Sequence, residues 1–339
     1  MINFVIPAFR KTSIRVFHEL MDIIRAQESW TILVLIDNPK ELHYSDFSID
    51  EELRDRIRIV RYNGNIGLSS NLLNSIALAD REWVWICGDD DDYKRFPVED
   101  IAGITQSSEA DMIKLSYETI YSDRVGIRKF EAEQKTLSML MKNMPHSDFD
   151  VGELIFTSNM LLRVKTFSGS LCEGYRWCKT LLAHFAVILH SNTKKPVLIE
   201  FSPILAIGNN RYGDISWGRI DLYKDLVEIS NARGLMGQNI KDEAKNFCRS
   251  YITTVKLCVQ LTKLVGRNSS YAVQFRTLSD IINISCKTLK FHLVLLCVLL
   301  MPLPLSKFGP LAIKILQNLS GLDARFGRYA NLIERESND

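Results

Sequence analysis

The chain lacks any Cys-x-x-C pair, and its seven cysteines (Cys87, Cys172, Cys178, Cys248, Cys258, Cys286 and Cys297) are odd in number and scattered. That spacing excludes a disulfide framework and a structural zinc site, and it suits a reducing cytoplasm. There is little excess charge: 42 Lys and Arg stand against 40 Asp and Glu, a formal net of +2. Nucleic acid is therefore not the expected partner. Met1 runs directly into Ile2-Asn3-Phe4-Val5-Ile6-Pro7, with no basic segment ahead of a long apolar stretch, so no signal peptide is expected. Internal repeats and low-complexity tracts are missing too. What is present, 46% hydrophobic and 24% charged residues over 339 positions, is enough to bury a core. The length suits one large domain, or one domain with an appendage.

The first hundred residues alternate strand and helix signals. Asn3–Pro7, Thr31–Ile36 and Trp83–Cys87 read as buried strands, and Ile57–Val60 as a further strand. Ile14–Ile24 and the segment opened by Gly67 carry helical spacing between them. Such alternation predicts an α/β fold with an open, mostly parallel sheet and right-handed crossovers. Further strands are expected over Met112–Ser116, Phe156–Arg163 and Lys195–Phe201, with helices over Leu137–Met141 and Leu181–Leu189. Ile204–Trp217 reads as a loop, and the chain reads as helical from Leu222 onward.

Ligands of open α/β sheets sit beyond the carboxyl ends of the strands. Three polar clusters fall there: Asp37, the Asn63–Gly67 segment, and the run Asp89-Asp90-Asp91-Asp92. Four adjacent carboxylates repel one another, and a turn needs no such number. A divalent cation with oxygen ligands, Mg²⁺ or Mn²⁺, would offset them, typically through one or two carboxylates plus substrate phosphates. The run offers two overlapping Asp-x-Asp pairs, Asp89 with Asp91 and Asp90 with Asp92.

In that order and spacing, the strand–Pro segment Val5-Ile6-Pro7, the strand–Asp segment Val34–Asp37, the Asn63–Gly67 segment with Asn71, and Ile86–Asp91 resemble the family 2 glycosyltransferases of GT-A fold. The resemblance covers about residues 1–100. Its Gly-Asp-Asp-Asp variant is similar to the bacterial transferases that build O-antigen and capsule repeat units. It implies a GT-A domain over residues 1–220 that moves a hexosyl or deoxyhexosyl group from a nucleotide-sugar donor to a glycan acceptor, metal-assisted and inverting. Pro7, Ala8, Phe9 and Arg10 would line the nucleotide pocket, and Asp37 would accept a hydrogen bond from the base. Asn65 and Gly67 would bring a helix N-terminus to the donor. Asp90 would face the sugar or the ribose, while Asp89 and Asp91 would hold the metal.

The family's base is usually the Asp of a Glu-Asp pair opening a helix. The matching stretch here, Gly174–Phe185, has no such pair, so His184 is the expected base and Glu173 the fallback. The polar segment Asn209–Asp214 followed by Trp217 reads as a lid, with Arg211 reaching the diphosphate and Trp217 stacking on a sugar.

Residues 221–339 are expected to form a helical, membrane-facing region. From Lys245 to Ala330 there are twelve Lys or Arg against Asp280 and Asp323, and Phe291–Leu305 is an apolar run of 15 residues containing Pro302 and Pro304. As a helix it would be about 22 Å long, short of the roughly 30 Å hydrocarbon core. The expectation is an interfacial or re-entrant anchor on the inner face of a plasma membrane, and a lipid-linked acceptor. Two other classes fit parts of the sequence: a sugar nucleotidyltransferase, although Pro7-Ala8-Phe9-Arg10 lacks the glycines its first loop needs, and a non-catalytic membrane adaptor.

Overall fold

A computed structural model describes residues 1–89, 91–120, 125–143, 152–210, 225 and 229. The chain divides into two units, Met1–Phe247 and Cys248–Asp339, and all described residues belong to the first.

The strands are β1 (Ile2–Ala8), β2 (Thr31–Ile36), β3 (Ile57–Arg61), β4 (Trp83–Ile86), β5 (Asp91–Asp92), β6 (Met112–Ile120), β7 (Val125–Arg128), β8 (Glu133–Thr136), β9 (Met160–Arg163) and β10 (Leu198–Asn210). The helices are α1 (Thr12–Ala26), α2 (Leu68–Ala77), α3 (Val98–Ser107), α4 (Leu137–Asn143), α5 (Gly152–Ile155), α6 (Val164–Ser168), α7 (Leu171–Arg176) and α8 (Ala183–Lys194). One sheet runs β3-β2-β1-β4-β9-β6-β10-β5, with β7 beside β6 and β8 beside β10.

The first four strands are parallel. The path moves from β1 to β2 in one direction and from β3 to β4 in the other, so right-handed crossovers put α1 and α2 on opposite faces. Even-numbered residues of β1 and β2 (Phe4, Ile6, Ala8, Val34, Ile36) join Val16, Phe17 and Leu20 of α1 in one core layer, with Trp30, Trp85 and Tyr93. Leu72, Leu73 and Ile76 of α2 are buried on the other side. Pro7 sits inside a central strand, which usually forfeits a ladder bond. Here β1–β4 pairing ends at Val5–Ile86, with a last bond from Cys87 N–H to Val5 C=O, so the imide nitrogen meets no partner strand.

The parallel pattern then breaks. β9 is antiparallel to both β4 and β6, while β10 returns parallel to β6. β10 also corrects the expected loop at Ile204–Trp217, since it stays in the sheet through Asn210. Register shifts between Ser202 and Leu205 and between Leu205 and Ile207 absorb Pro203. The helices α3, α5, α6 and α7 and the short strands β5, β7 and β8 were not expected. Residues 221–339 with their apolar run lie outside the described residues, except Asp225 and Ile229, which are helical. Among the described residues no helix is long and apolar enough to cross a membrane.

Candidate active site

β1 to β4 end on one rim, and three of the expected clusters meet there. At β2, the Asp37 N–H donates to Ala8 C=O at 2.9 Å, so this aspartate extends the ladder by one residue. Its side chain is 2% exposed, and Oδ1 accepts the Ile66 N–H at 2.6 Å. Burial raises the Asp37 pKa, and the backbone N–H groups of Ile66 and Gly67 counter part of that rise. The carboxylate thus fastens the Asn63–Gly67 turn to the sheet.

Asn65 shapes the same turn through Oδ1, which accepts the Gly67 N–H at 2.7 Å. Gly67 has φ +84°, and a Cβ there would meet nothing within 4 Å, so its glycine is required by conformation and not by space. The Asn71 N–H then bonds Gly67 C=O and starts α2. Ser69, in the first turn of α2, donates to Thr180 C=O, which fixes the turn between α7 and α8 to this helix N-terminus.

The segment after β1 supplies the opposite wall. Pro7 and Ala8 are the last residues of β1, and Phe9 C=O accepts Asn38 Nδ2 at 3.2 Å while its ring is exposed. Arg10 reaches the acidic run: Nε donates to Asp89 Oδ2 at 2.8 Å, and a terminal nitrogen donates to Oδ1.

The acidic run turns sharply inward. Asp91 is 3% exposed, and its Oδ2 accepts the Gly88 N–H at 3.1 Å and the Tyr93 hydroxyl at 3.4 Å. A Cβ on Gly88 would overlap that same oxygen, so the turn depends on glycine. Burial pushes the Cys87 thiol and the Tyr93 hydroxyl up and keeps both protonated, and the Asp91 charge pushes in the same direction. β5 pairs with β10 (Asp91–Asn209 and Asp92–Gly208), and Asp92 Oδ1 accepts the Lys94 N–H at 3.1 Å. Below the turn, Trp85 Nε1 donates to Ser158 C=O at 2.6 Å, and the buried Lys114 ammonium holds Asn159 Oδ1 at 2.5 Å. Asp90, Arg211 and Trp217 lie outside the described residues.

Among the described residues, no three His, Cys, Asp or Glu side chains form a metal-binding cluster. A divalent cation needs fewer when phosphates complete its shell. Asp89 sets its carboxylate at the rim with the Arg10 guanidinium on both oxygens, and carboxylate oxygen is the donor type that Mg²⁺ or Mn²⁺ takes.

The expected base needs correction. His184 is on α8, where every residue from Ala183 to Leu189 is buried, and it is itself 2% exposed. Nε2 bonds Ile155 C=O at 2.9 Å, and the buried Nδ1 finds no partner among the described residues. Burial lowers its pKa to about 4, and a sealed imidazole does not meet an acceptor hydroxyl. Glu173 differs: Arg176 donates to Oε2 at 2.7 Å and Trp177 Nε1 to Oε1 at 3.1 Å, and its side chain is 12% exposed. Two residues of α1, Arg15 and Glu19, also reach the backbone of the acidic run, although their i,i+4 spacing reads in sequence as an ordinary helix ion pair.

No family model matches the chain, and no curated protein matches it. Solved structures do. The chain shares its fold with TarS of S. aureus. Residues 1–349 of TarS in complex with UDP superpose with a TM-score of 0.57 at 14% identity, over 92% of this chain and 85% of that one. The complex with UDP-GlcNAc gives 0.54 at 13%, over 92% and 86%. A longer TarS structure gives 0.56 at 14% over 98% of this chain, which spans 53% of TarS there. The mixed α/β architecture with its mostly parallel sheet is consistent with the GT-A fold that the sequence resemblance implies.

Proposed function

We propose that this chain is a glycosyltransferase that moves a sugar from a nucleoside-diphosphate sugar to a hydroxyl of a glycan acceptor. The observation that carries the reading is the meeting of Asp37, the Asn65–Gly67 turn and the Arg10–Asp89 pair on one strand-end rim. TarS, with the same fold, holds UDP and UDP-GlcNAc, which supports a nucleotide-diphosphate sugar as donor.

In this reading the segment Pro7–Arg10 and the turn fastened by Asp37 border the nucleotide, with Asp90 toward its ribose or sugar. Arg10 carries the charge to meet a diphosphate. Asp89 would hold Mg²⁺ or Mn²⁺, while Asp91, expected to share it, turns its carboxylate inward to the Gly88 N–H and the Tyr93 hydroxyl. When bound, the cation offsets the negative charge of the leaving diphosphate. Glu173, oriented by Arg176 and Trp177, takes the proton of the attacking hydroxyl. Arg211 and Trp217 close over the donor. The acceptor is a lipid-linked oligosaccharide of bacterial surface polysaccharide synthesis, and the basic segment Lys245–Ala330 holds the enzyme on the cytoplasmic face of the membrane.

Calorimetric titration of UDP, UDP-GlcNAc and other nucleoside diphosphates, with and without Mn²⁺, tests the reading. Cation-enhanced binding of at least one nucleoside diphosphate is expected. A chain that binds none of them is not a transferase of this kind.

A further inference from the structure

The acidic run is gripped from outside by one helix. Arg15 and Glu19 stand one turn apart on α1 and pair with each other, Arg15 Nη1 to Glu19 Oε1, at 2.9 Å. Each then uses its second arm on the backbone at the end of the run, Arg15 within it and Glu19 just past it. Arg15 Nη2 donates to Asp91 C=O at 2.7 Å, and Glu19 Oε2 accepts the Tyr93 N–H at 3.0 Å. The two contacts bracket Asp92, and so they hold β5 along its whole length.

β5 is two residues long and pairs with β10 at two positions. A solvated i,i+4 pair contributes roughly 0.3–0.5 kcal/mol to a helix, a small return for two long side chains. Hydrogen bonds with one charged partner are roughly twice as strong as neutral ones, and the Glu19 side chain is only 10% exposed. The larger share of what this pair does therefore falls on the strand it holds.

We propose that Arg15 and Glu19 are positioning residues for the turn that carries the cation-binding carboxylate of Asp89. They fix the backbone from Asp91 to Tyr93, so the inward Asp91 carboxylate keeps its hold on the Gly88 N–H and Asp89 keeps its place at the rim as donor and cation arrive. The inference rests on reading the rim as a site for a nucleoside diphosphate and a divalent cation. Mg²⁺ tolerates little departure from octahedral geometry, so a loose β5 would lower cation affinity first.

The test uses the full chain saturated with UDP. Mn²⁺ is titrated by calorimetry into the wild type and into Arg15→Met, Glu19→Ala, Glu19→Gln and Asp22→Ala. UDP affinity in EDTA and melting temperature are measured beside it. Asp22 pairs with Arg25 on the exposed side of α1 and serves as the control. Loss of partners that orient metal ligands typically weakens binding about 10- to 100-fold, so the Mn²⁺ Kd should rise by about tenfold or more in Arg15→Met and Glu19→Ala. Glu19→Gln, whose amide oxygen still accepts from Tyr93 N–H, should lose less. Asp22→Ala and the metal-free UDP affinity should not change. A purely structural pair would lower the melting temperature and leave Mn²⁺ affinity within about twofold of the wild type, and that result overturns the inference alone. Equal losses of Mn²⁺ affinity and of metal-free UDP affinity overturn it as well. If Arg15→Met and Glu19→Ala do not fold, Glu19→Gln decides: a rise of the Mn²⁺ Kd beyond about twofold with metal-free UDP affinity unchanged supports the inference, and a Kd within about twofold of the wild type overturns it. A wild type that binds UDP without any help from Mn²⁺, or not at all, overturns the reading of the rim and this inference with it.

Discussion

Arg10 grips both carboxylate oxygens of Asp89 and thereby ties the end of β1 to the end of β4. In the proposed reading, one bidentate pair presents the cation for a diphosphate and the anion for a metal. Asp89→Asn removes the charge that both need. Mn²⁺-dependent UDP binding should weaken by more than about tenfold, the lower bound set by losses outside the metal's own ligands. The melting temperature should stay near that of the wild type, because the residue lies at the rim and not in the core. Full turnover by Asp89→Asn, or by the wild type in EDTA, would contradict the metal assignment.

Glu173→Gln keeps the size and one acceptor oxygen of the side chain but cannot take a proton. Turnover should fall by about 10²- to 10⁴-fold, the usual contribution of a general base. The Kd for UDP should be unchanged, since Asp37, Asn65 and Arg10 hold that side of the rim. Near-normal turnover of the variant would remove Glu173 from the role.

His184 should register as acid sensitivity of the fold. Its pKa falls from 6.5 in the unfolded chain to about 4 in the folded one. Above pH 6.5 both states are neutral there, and the histidine adds no pH dependence. As pH drops toward 4 the unfolded chain takes up a proton that the folded chain refuses, so stability is lost through that window. The full loss is about 3 kcal/mol at 1.36 kcal/mol per unit. Denaturant melts of wild type and His184→Gln between pH 7 and 4 should converge as the pH falls. Parallel curves would show that the imidazole is solvated.

Two glycines are needed for space. A Cβ on Gly88 would strike the Asp91 carboxylate and come within 3.0 Å of Ser158 Oγ, while one on Gly174 would come within 2.5 Å of Leu73 and Val187 side chains. Gly174→Ala should cost about 1–3 kcal/mol of stability, as overpacking does, with metal binding intact. Gly88→Ala should instead weaken Mn²⁺ binding, because Asp91 must move. Gly64→Ala, with nothing within 4 Å, should do neither.

The basic tail gives a salt-dependent expectation. The full chain should float with anionic vesicles at low salt and release in part at 1 M, where the screening length shrinks to about 3 Å. Making Leu295, Leu296 and Leu299 polar should complete the release. A chain that stays off anionic vesicles at low salt has no such anchor.

The first four strands and two helices were legible because their apolar residues keep strict spacing and polar turns interrupt them. The rim was legible for the same reason, since Asp37 and Asp89 each follow a buried run and Gly67 opens a helical pattern. β9 was legible as a strand, but its antiparallel direction was not, because direction depends on what lies beside it. His184 misled because position was weighed and surroundings were not: Ala183-His184-Phe185-Ala186-Val187-Ile188-Leu189 is apolar on every face, and such a helix leaves no open side. Arg15 and Glu19 carry no sign in sequence of the backbone groups they reach.

The place of β9 sets a hazard during synthesis. β1 to β4 are complete once Ile86 has emerged, but the free flank of Trp83-Val84-Trp85-Ile86 is covered only by Met160–Arg163. At roughly 5–20 residues per second, the ribosome takes about 4–15 s to deliver those residues. Until then an open edge bearing two tryptophans can template pairing with another nascent chain. Slower elongation between residues 87 and 160 should therefore raise the insoluble fraction, and holdase chaperones should lower it.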